Sequence, residues 1–438
     1  MSPKIKLSIA QFFGRLLLDI RLVKENWILN MANLKSFILR YFDVFAATCA
    51  LGIGIGLERT QFAALAELMV QSKWIATESI GLLAGFHLAG YIVGCIHQTT
   101  LKSEIQSLTM IRLGLFVCVV SFFVEPIITI MGWQILWRML AGWGAAHLVT
   151  GLPGFATRNL DGIERRRSTA FIFAGGGISA LIAAVLVSAI SSPSPLNSWI
   201  LTGVVSVFFG LPILSSVNAG INEELAGYRT REKLDENLAK PSQSSDFGWT
   251  AGLYFLAITT FLFGAAQVSV ITYFPIFIST KFNLTSAVSA SFFSMFGLGY
   301  MVGAIVAGFM PKKWSTDSIL IASAFVGVIG SFLTVLGFNV YIATIGCFLF
   351  AFWNGSMIGL IVARLRELVG QLATRKAWAI FSFLLSIGYI IYTFASSYLT
   401  KYSISTVIWV GFALTAAQLF TMLIAATEFK KQINSPFA

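Results

Sequence analysis

Apolar stretches of about 20 residues, each long enough to cross a hydrocarbon core, recur along almost the whole chain, and no other feature limits its fold so strongly. A backbone in lipid has to satisfy its own hydrogen bonds, which leaves helices or closed barrels. These runs are far longer than barrel strands, so they read as helices. Approximate spans are 41 to 65, 79 to 97, 107 to 127, 131 to 154, 168 to 190, 197 to 217, 249 to 275, 287 to 309, 317 to 337, 340 to 362, 377 to 398 and 404 to 426. The expected fold class is all-α: a polytopic membrane protein with twelve transmembrane helices. With 57% hydrophobic and 11% charged residues, the chain lies far from an ordinary soluble domain.

Most connections are short, but residues 218 to 248 are polar, mixed in charge, and end in a Pro/Ser/Gln stretch. They read as a solvated linker between two six-helix bundles, 41 to 217 and 249 to 427, with a tail from 428 to 438. Residues 1 to 40 form a separate leading segment. In MSPKIKLSIAQFFGRLLLDIRLVKENW, polar residues Lys4, Ser8, Gln11, Arg15 and Asp19 recur at helical spacing opposite an apolar face. That pattern is an amphipathic interfacial helix; a start at Met31 is the equal alternative.

The net charge of +11 could suggest a nucleic-acid partner, but its distribution follows membrane topology instead. If the amino terminus is cytoplasmic, nearly all of the 30 basic residues fall in cytoplasmic loops and tails, and only Lys73, Lys281 and Lys401 fall outside. Both termini are therefore expected in the cytoplasm, with the chain in the inner membrane of a bacterial cell. Two basic residues belong to neither side, because Arg59 and Arg138 lie within helices. The four cysteines have neither disulfide nor metal spacing, and no cofactor or metal is expected.

The halves echo each other. GYIVG (Gly90 to Gly94) and GYMVG (Gly299 to Gly303) lie in the second helix of each half, 209 residues apart. A looser pair joins GWGAAH in helix 4 to FWNGSM, with Asn354, in helix 10. Internal repeats of this kind are the hallmark of secondary transporters.

Twelve helices, a central linker and six-plus-six symmetry resemble the major facilitator superfamily. GLERTQFAALAELM in helix 1, GLLAGFHLAGYIVGC in helix 2, and WRMLAGWGAAH and FAGGGISA in helices 4 and 5 resemble its YbfB/YjiJ-like branch. The likeness is strongest in the first half. Glu67 stands where that branch tends to carry Pro, and loops 2-3 and 8-9 lack the superfamily's Gly-x-x-x-Asp-Arg-x-Gly-Arg pattern. Helix 5 lacks the Gly-Pro pair of drug/proton antiporters. The resemblance implies that helices 1, 4, 7 and 10 line a central cavity.

By depth, Glu58, Arg59 and Arg138 all lie about 10 Å from the outer surface at 1.5 Å per residue. Given the cavity the resemblance implies, Arg59 and Arg138 are expected to converge on one pocket, where two guanidinium forks suit an anionic group. Arg138 has a structural alternative: pairing with Glu125, or reaching the interface beside Trp133 and Trp137. Glu58 reads as the only carboxylate well inside a helix and as a proton-coupling candidate, together with His87. His87 and His147 also fit plain helix-contact roles. The repeat maps Glu58 onto Gln267, which joins Arg59, Arg138 and Asn354 as an expected substrate contact.

No H-E-x-x-H pair, nucleotide loop or convincing Ser/His arrangement suggests an enzyme, and no filter sequence suggests a channel. The function expected is secondary transport of a small organic solute by a monomer, with proton coupling and an anionic substrate as hypotheses. A non-transporting sensor or scaffold, or an efflux protein for drug-like compounds, is the alternative.

Overall fold

The computed structural model describes residues 41–160, 162–189, 194–231, 247–311 and 313–433. The leading segment, residues 232–246 of the central linker and the end of the tail lie outside the described residues. Twelve helices carry the chain: α1 Tyr41–Gln71, α2 Thr77–Thr100, α3 Glu104–Val124, α4 Met131–Ala156, α5 Gly162–Ala189 and α6 Pro195–Arg231. The second half follows with α7 Ala251–Phe282, α8 Ser286–Phe309, α9 Thr316–Leu336, α10 Val340–Gly370, α11 Ala377–Leu399 and α12 Ile404–Ile433. Helical bonding runs on between α10 and α11. Gly370, at φ 77° and ψ 170°, breaks the direction in a conformation that side chains resist.

Eleven of the twelve are long and apolar enough to cross a membrane. The exception is α4, which carries Gln134, Arg138, His147 and three tryptophans. A helix so polar is stable at membrane depth only if its polar face is enclosed by others, and Gln134, Arg138 and His147 are all fully buried. Several spans run past their expected ends. The first reaches Gln71, which draws Glu67 inside the helix, and the sixth continues to Arg231, well into the stretch read as linker.

The glycine echo has a packing cause. A Cβ on Gly90 would sit 1.9 Å from the Met139 carbonyl oxygen of α4, and one on Gly303 would sit 2.0 Å from that of Phe352 in α10. Each half needs a bare backbone on its second helix so that its fourth can approach. Charged clamps repeat as well. Arg158 at the end of α4 reaches Glu104 of α3 (2.9 Å) and Glu223 of α6 (2.8 Å), while Arg364 of α10 reaches Asp317 of α9 (2.7 Å).

The halves meet along α5 and α8, α2 and α11, and α1 with α7 and α8. Near the α2–α3 turn, the Arg166 guanidinium donates across this seam to the carbonyls of Ala307 (3.0 Å) and Met310 (3.2 Å). At the α1–α2 end, Gln71 and Glu67 of α1 meet Ser286 and Ser289 of α8. Both ends of the seam are therefore bridged.

Candidate functional site

The site begins with a local distortion of α1. Residues Gly52–Thr60, GIGIGLERT, form a π-helical stretch, closed by the Gln61 amide donating to the Gly56 carbonyl at 2.8 Å. Wide turns of this kind are uncommon and gather at functional sites. The glycines permit it by letting α1 press into its neighbours: a Cβ on Gly56 would lie 2.4 Å from the Gly176 carbonyl of α5. Within the stretch, Glu58 and Arg59 turn away from each other. Glu58 points into its own half, and Arg59 crosses to the other.

Glu58 meets Arg138. Arg138 Nη2 lies 3.1 Å from Glu58 Oε2, Nη1 donates to the Glu58 carbonyl at 3.0 Å, and Nε donates to Glu125 Oε2 at 2.8 Å. The Ser121 hydroxyl adds a bond to Glu58 Oε1 at 2.8 Å. All three charged side chains are fully buried, and the rings of Phe62 and Trp199 flank the guanidinium at 4.7 and 5.1 Å. Two carboxylates around one guanidinium sum to one negative charge unless a carboxyl carries a proton.

This corrects two expectations. Arg138 is enclosed by carboxylates and bonds to none of the groups that hold Arg59; the pairing with Glu125, weighed as its structural alternative, is present, and Glu58 is added to it. Nor is Glu58 the sole buried carboxylate, since Glu67 and Glu125 are fully buried too. Glu125, named from the sequence as a partner for Arg138, does not read there as buried because it sits in a one-turn 3-10 helix at the end of α3, where a carboxylate ordinarily reads as an interfacial charge.

Arg59 stands differently. Its Nη2 donates to Gln267 Oε1 on α7 at 2.7 Å, and its Cζ lies 4.1 Å from the centre of the Tyr389 ring on α11. It is only partly buried, its Nε has no partner, and no carboxylate pairs with it among the described residues. The remaining wall is rich in donors: Gln267 Nε2 and the Tyr300 hydroxyl are buried without partners. Tyr389 is fixed from behind by its hydroxyl contact with Thr272 Oγ1 at 3.2 Å.

The residues read from the sequence divide accordingly. Arg59 and Gln267 come together across the two halves. Asn354 is buried on α10 with its Nδ2 unpartnered, and no hydrogen bond joins it to Arg59. His87 is buried on α2 with neither ring nitrogen hydrogen-bonded, against the backbone of α4 at Gly142. His147 has a packing role: its Nδ1 lies 2.6 Å from Gln98 Oε1, and its ring meets those of Trp143 and His97. Among the aromatics, Tyr389 is buried at the site while Tyr254 faces outward, 57% exposed. Sequence reasoning had no means of separating them, because both sit in uniformly apolar runs.

A family model described as "Uncharacterised MFS-type transporter YbfB" matches residues 50–427. Among solved structures, a crystal structure of a mutant of the nucleoside transporter NupG aligns at a TM-score of 0.65 and 10% identity, over 88% of this chain and 98% of that one. At that identity the likeness speaks for the fold alone. No curated protein matches the chain.

Proposed function

We propose, for a chain that belongs to the YbfB-type family of major facilitator superfamily transporters, that the solute it moves is a small organic anion and that Arg59 is the anchor. Membership makes it a transmembrane transporter; the identity of its cargo rests on the site. The observation that carries the reading is Arg59 itself, a partly accessible guanidinium inside the bundle, bonded to an amide and an aromatic ring but to no carboxylate. A cation held at membrane depth without a counter-charge is costly, and a carboxylate or phosphate supplies both the charge and the bidentate geometry. Unpartnered donors on Gln267 and Tyr300 suit an acceptor-rich solute.

The location suits alternating access. Arg59 belongs to one half, Gln267 and Tyr389 to the other, so a ligand between them feels the halves rock. Charge counting supports proton coupling. Arg59 and Arg138 balance Glu58 and Glu125; an arriving anion leaves one excess negative charge, and a proton on the Glu58–Arg138–Glu125 group restores neutrality. The anion and a proton then travel together. The basic clusters lie at the α2–α3 end, with Lys73, Lys281 and Lys401 at the other. By the positive-inside rule, we read the α2–α3 end as cytoplasmic, and the membrane as a bacterial inner membrane.

Metabolite profiling of cells with and without the protein, followed by flux into proteoliposomes, tests the reading. The panel comprises carboxylates, phosphates, neutral solutes including nucleosides, and cations. Uptake of an anion is expected. Exclusive preference for cations rejects the proposal, and the absence of any flux points to a sensor or scaffold.

A further inference from the structure

A second buried carboxyl on α1 has surroundings unlike those of Glu58. Glu67 lies eight residues beyond Arg59, where α1 leaves its own half and packs on α7 and α8 of the other. It is fully buried. Its neighbours are Gln71 on α1, whose Nε2 donates to Oε1 at 3.0 Å, Ser289 on α8, at hydrogen-bond distance from Oε2, and Ser279 on α7. None of the elements packed on it, α2 and α6 included, faces it with a charged or titratable side chain among the described residues.

Burial without a counter-charge, taken with the hydrogen bonds, then favours one form. A hydroxyl has one proton to give. That of Ser289 lies 3.1 Å from the Ser286 carbonyl, and that of Ser279 lies 3.1 Å from the Ile276 carbonyl. Each hydroxyl can give its proton to the backbone or to Glu67, so the serines accommodate either form of the carboxyl; what favours the neutral acid is the seam itself, which encloses the carboxyl completely and offers no cation to balance a charge. A protonated Glu67 closes a ring in which every donor is used once: Ser286 hydroxyl to Gln71 Oε1, Gln71 amide to Glu67 Oε1, Glu67 hydroxyl to Ser289, Ser289 to the Ser286 carbonyl. The ring ties the first half to the second. An ionised Glu67 would take the Ser289 proton, open the ring, and leave an unpaired charge in the seam. The amino-terminal end of α8 favours negative charge only weakly compared with the cost of burying such a charge without a cation.

We propose that Glu67 is a proton-binding site that latches the two halves at the α1–α2 end. The closed seam holds the neutral acid. Opening exposes Glu67 to water, which takes the proton and stabilises the open form; Gln71, already exposed, marks the route. The closed population therefore falls as pH rises. The inference rests on the alternating-access reading of this transporter but is independent of the charge of its solute.

The test is a distance across the seam, read by pulsed electron paramagnetic resonance on spin labels at Ser72→Cys and Phe338→Cys, which lie at this end on opposite halves. The full-length protein is reconstituted without solute and titrated from about pH 5 to 9. The wild-type sequence at Glu67 is expected to lengthen the distance as pH rises, in a one-proton transition. Glu67→Gln, which keeps a donor towards Ser289 but cannot ionise, is expected to stay short throughout. Ser289→Ala removes a hydrogen-bond partner of the carboxyl and is expected to shift the midpoint by about one pH unit, a tenfold change in proton affinity. A pH-independent distance with Glu67 present overturns the proposal, as does an unchanged pH response in Glu67→Gln. Should Glu67→Gln not fold, an unshifted midpoint in Ser289→Ala overturns it instead. Because no solute is present, a failure of the anion reading leaves this result untouched.

Discussion

Arg59 of α1 and Arg138 of α4 are the two arginines that no loop claims in the sequence. Both lie against aromatic rings, Arg59 on Tyr389 and Arg138 between Phe62 and Trp199. They differ in counter-charge. Arg138 is enclosed by Glu58 and Glu125, fully buried and within one half of the molecule. Arg59 has an amide, an unused Nε and partial access, and it faces the other half. A buried cation with its own carboxylates is part of the architecture, whereas one without them carries a charge that a ligand can balance.

The comparison breaks most visibly at Arg138. Arg138→Met strands two carboxylates in the core and is expected to cost about 3–5 kcal/mol, read as loss of monodisperse protein and a lowered unfolding midpoint in detergent. Arg59→Gln is expected to leave the unfolding midpoint nearly unchanged while reducing anion transport about 100-fold, the value of a charge-assisted hydrogen bond of roughly 2–3 kcal/mol. Gln267→Glu sharpens the contrast by giving Arg59 a carboxylate of its own, which makes it a second Arg138. Transport of anions should fall at least about tenfold, with the folded state retained or strengthened. Glu58→Gln leaves Arg138 paired with Glu125, so stability should change by no more than about 1–2 kcal/mol. Flux should then lose its response to a pH gradient; a response left intact removes Glu58 from proton coupling. The smallest effect is expected for Ser121→Ala, about 1 kcal/mol of unfolding free energy for one lost hydrogen bond.

Much of this contrast is written in the sequence, though unevenly. The twelve helices follow from apolar length, and the echo of GYIVG and GYMVG points to a real requirement, the close approach of α2 to α4 and of α8 to α10. Arg59 stands out because no loop can claim it, and the repeat singles out Gln267, although it is Arg59 and not Glu58 that meets this residue. For Arg138 the pairing with Glu125 is legible as an alternative, whereas the contact with Glu58 is not. Which way Glu58 and Arg59 turn depends on the π-helical stretch, and an ordinary helical count gives no warning of it beyond the glycines of GIGIG. Tyr389 and Glu67 belong to the site and the seam through tertiary contacts that no spacing along the chain encodes. Glu67 in particular looks like a helix-end charge until α1 proves long enough to bury it.

The central claim, that Arg59 is held open for an anion, is tested most directly by calorimetric titration of the transported solute into purified wild-type protein and Arg59→Gln, both verified as folded by their unfolding midpoints. Saturable binding by the wild type that weakens about 100-fold in the variant is the predicted result. Equal affinity in the two proteins, or binding confined to cationic solutes, would contradict it.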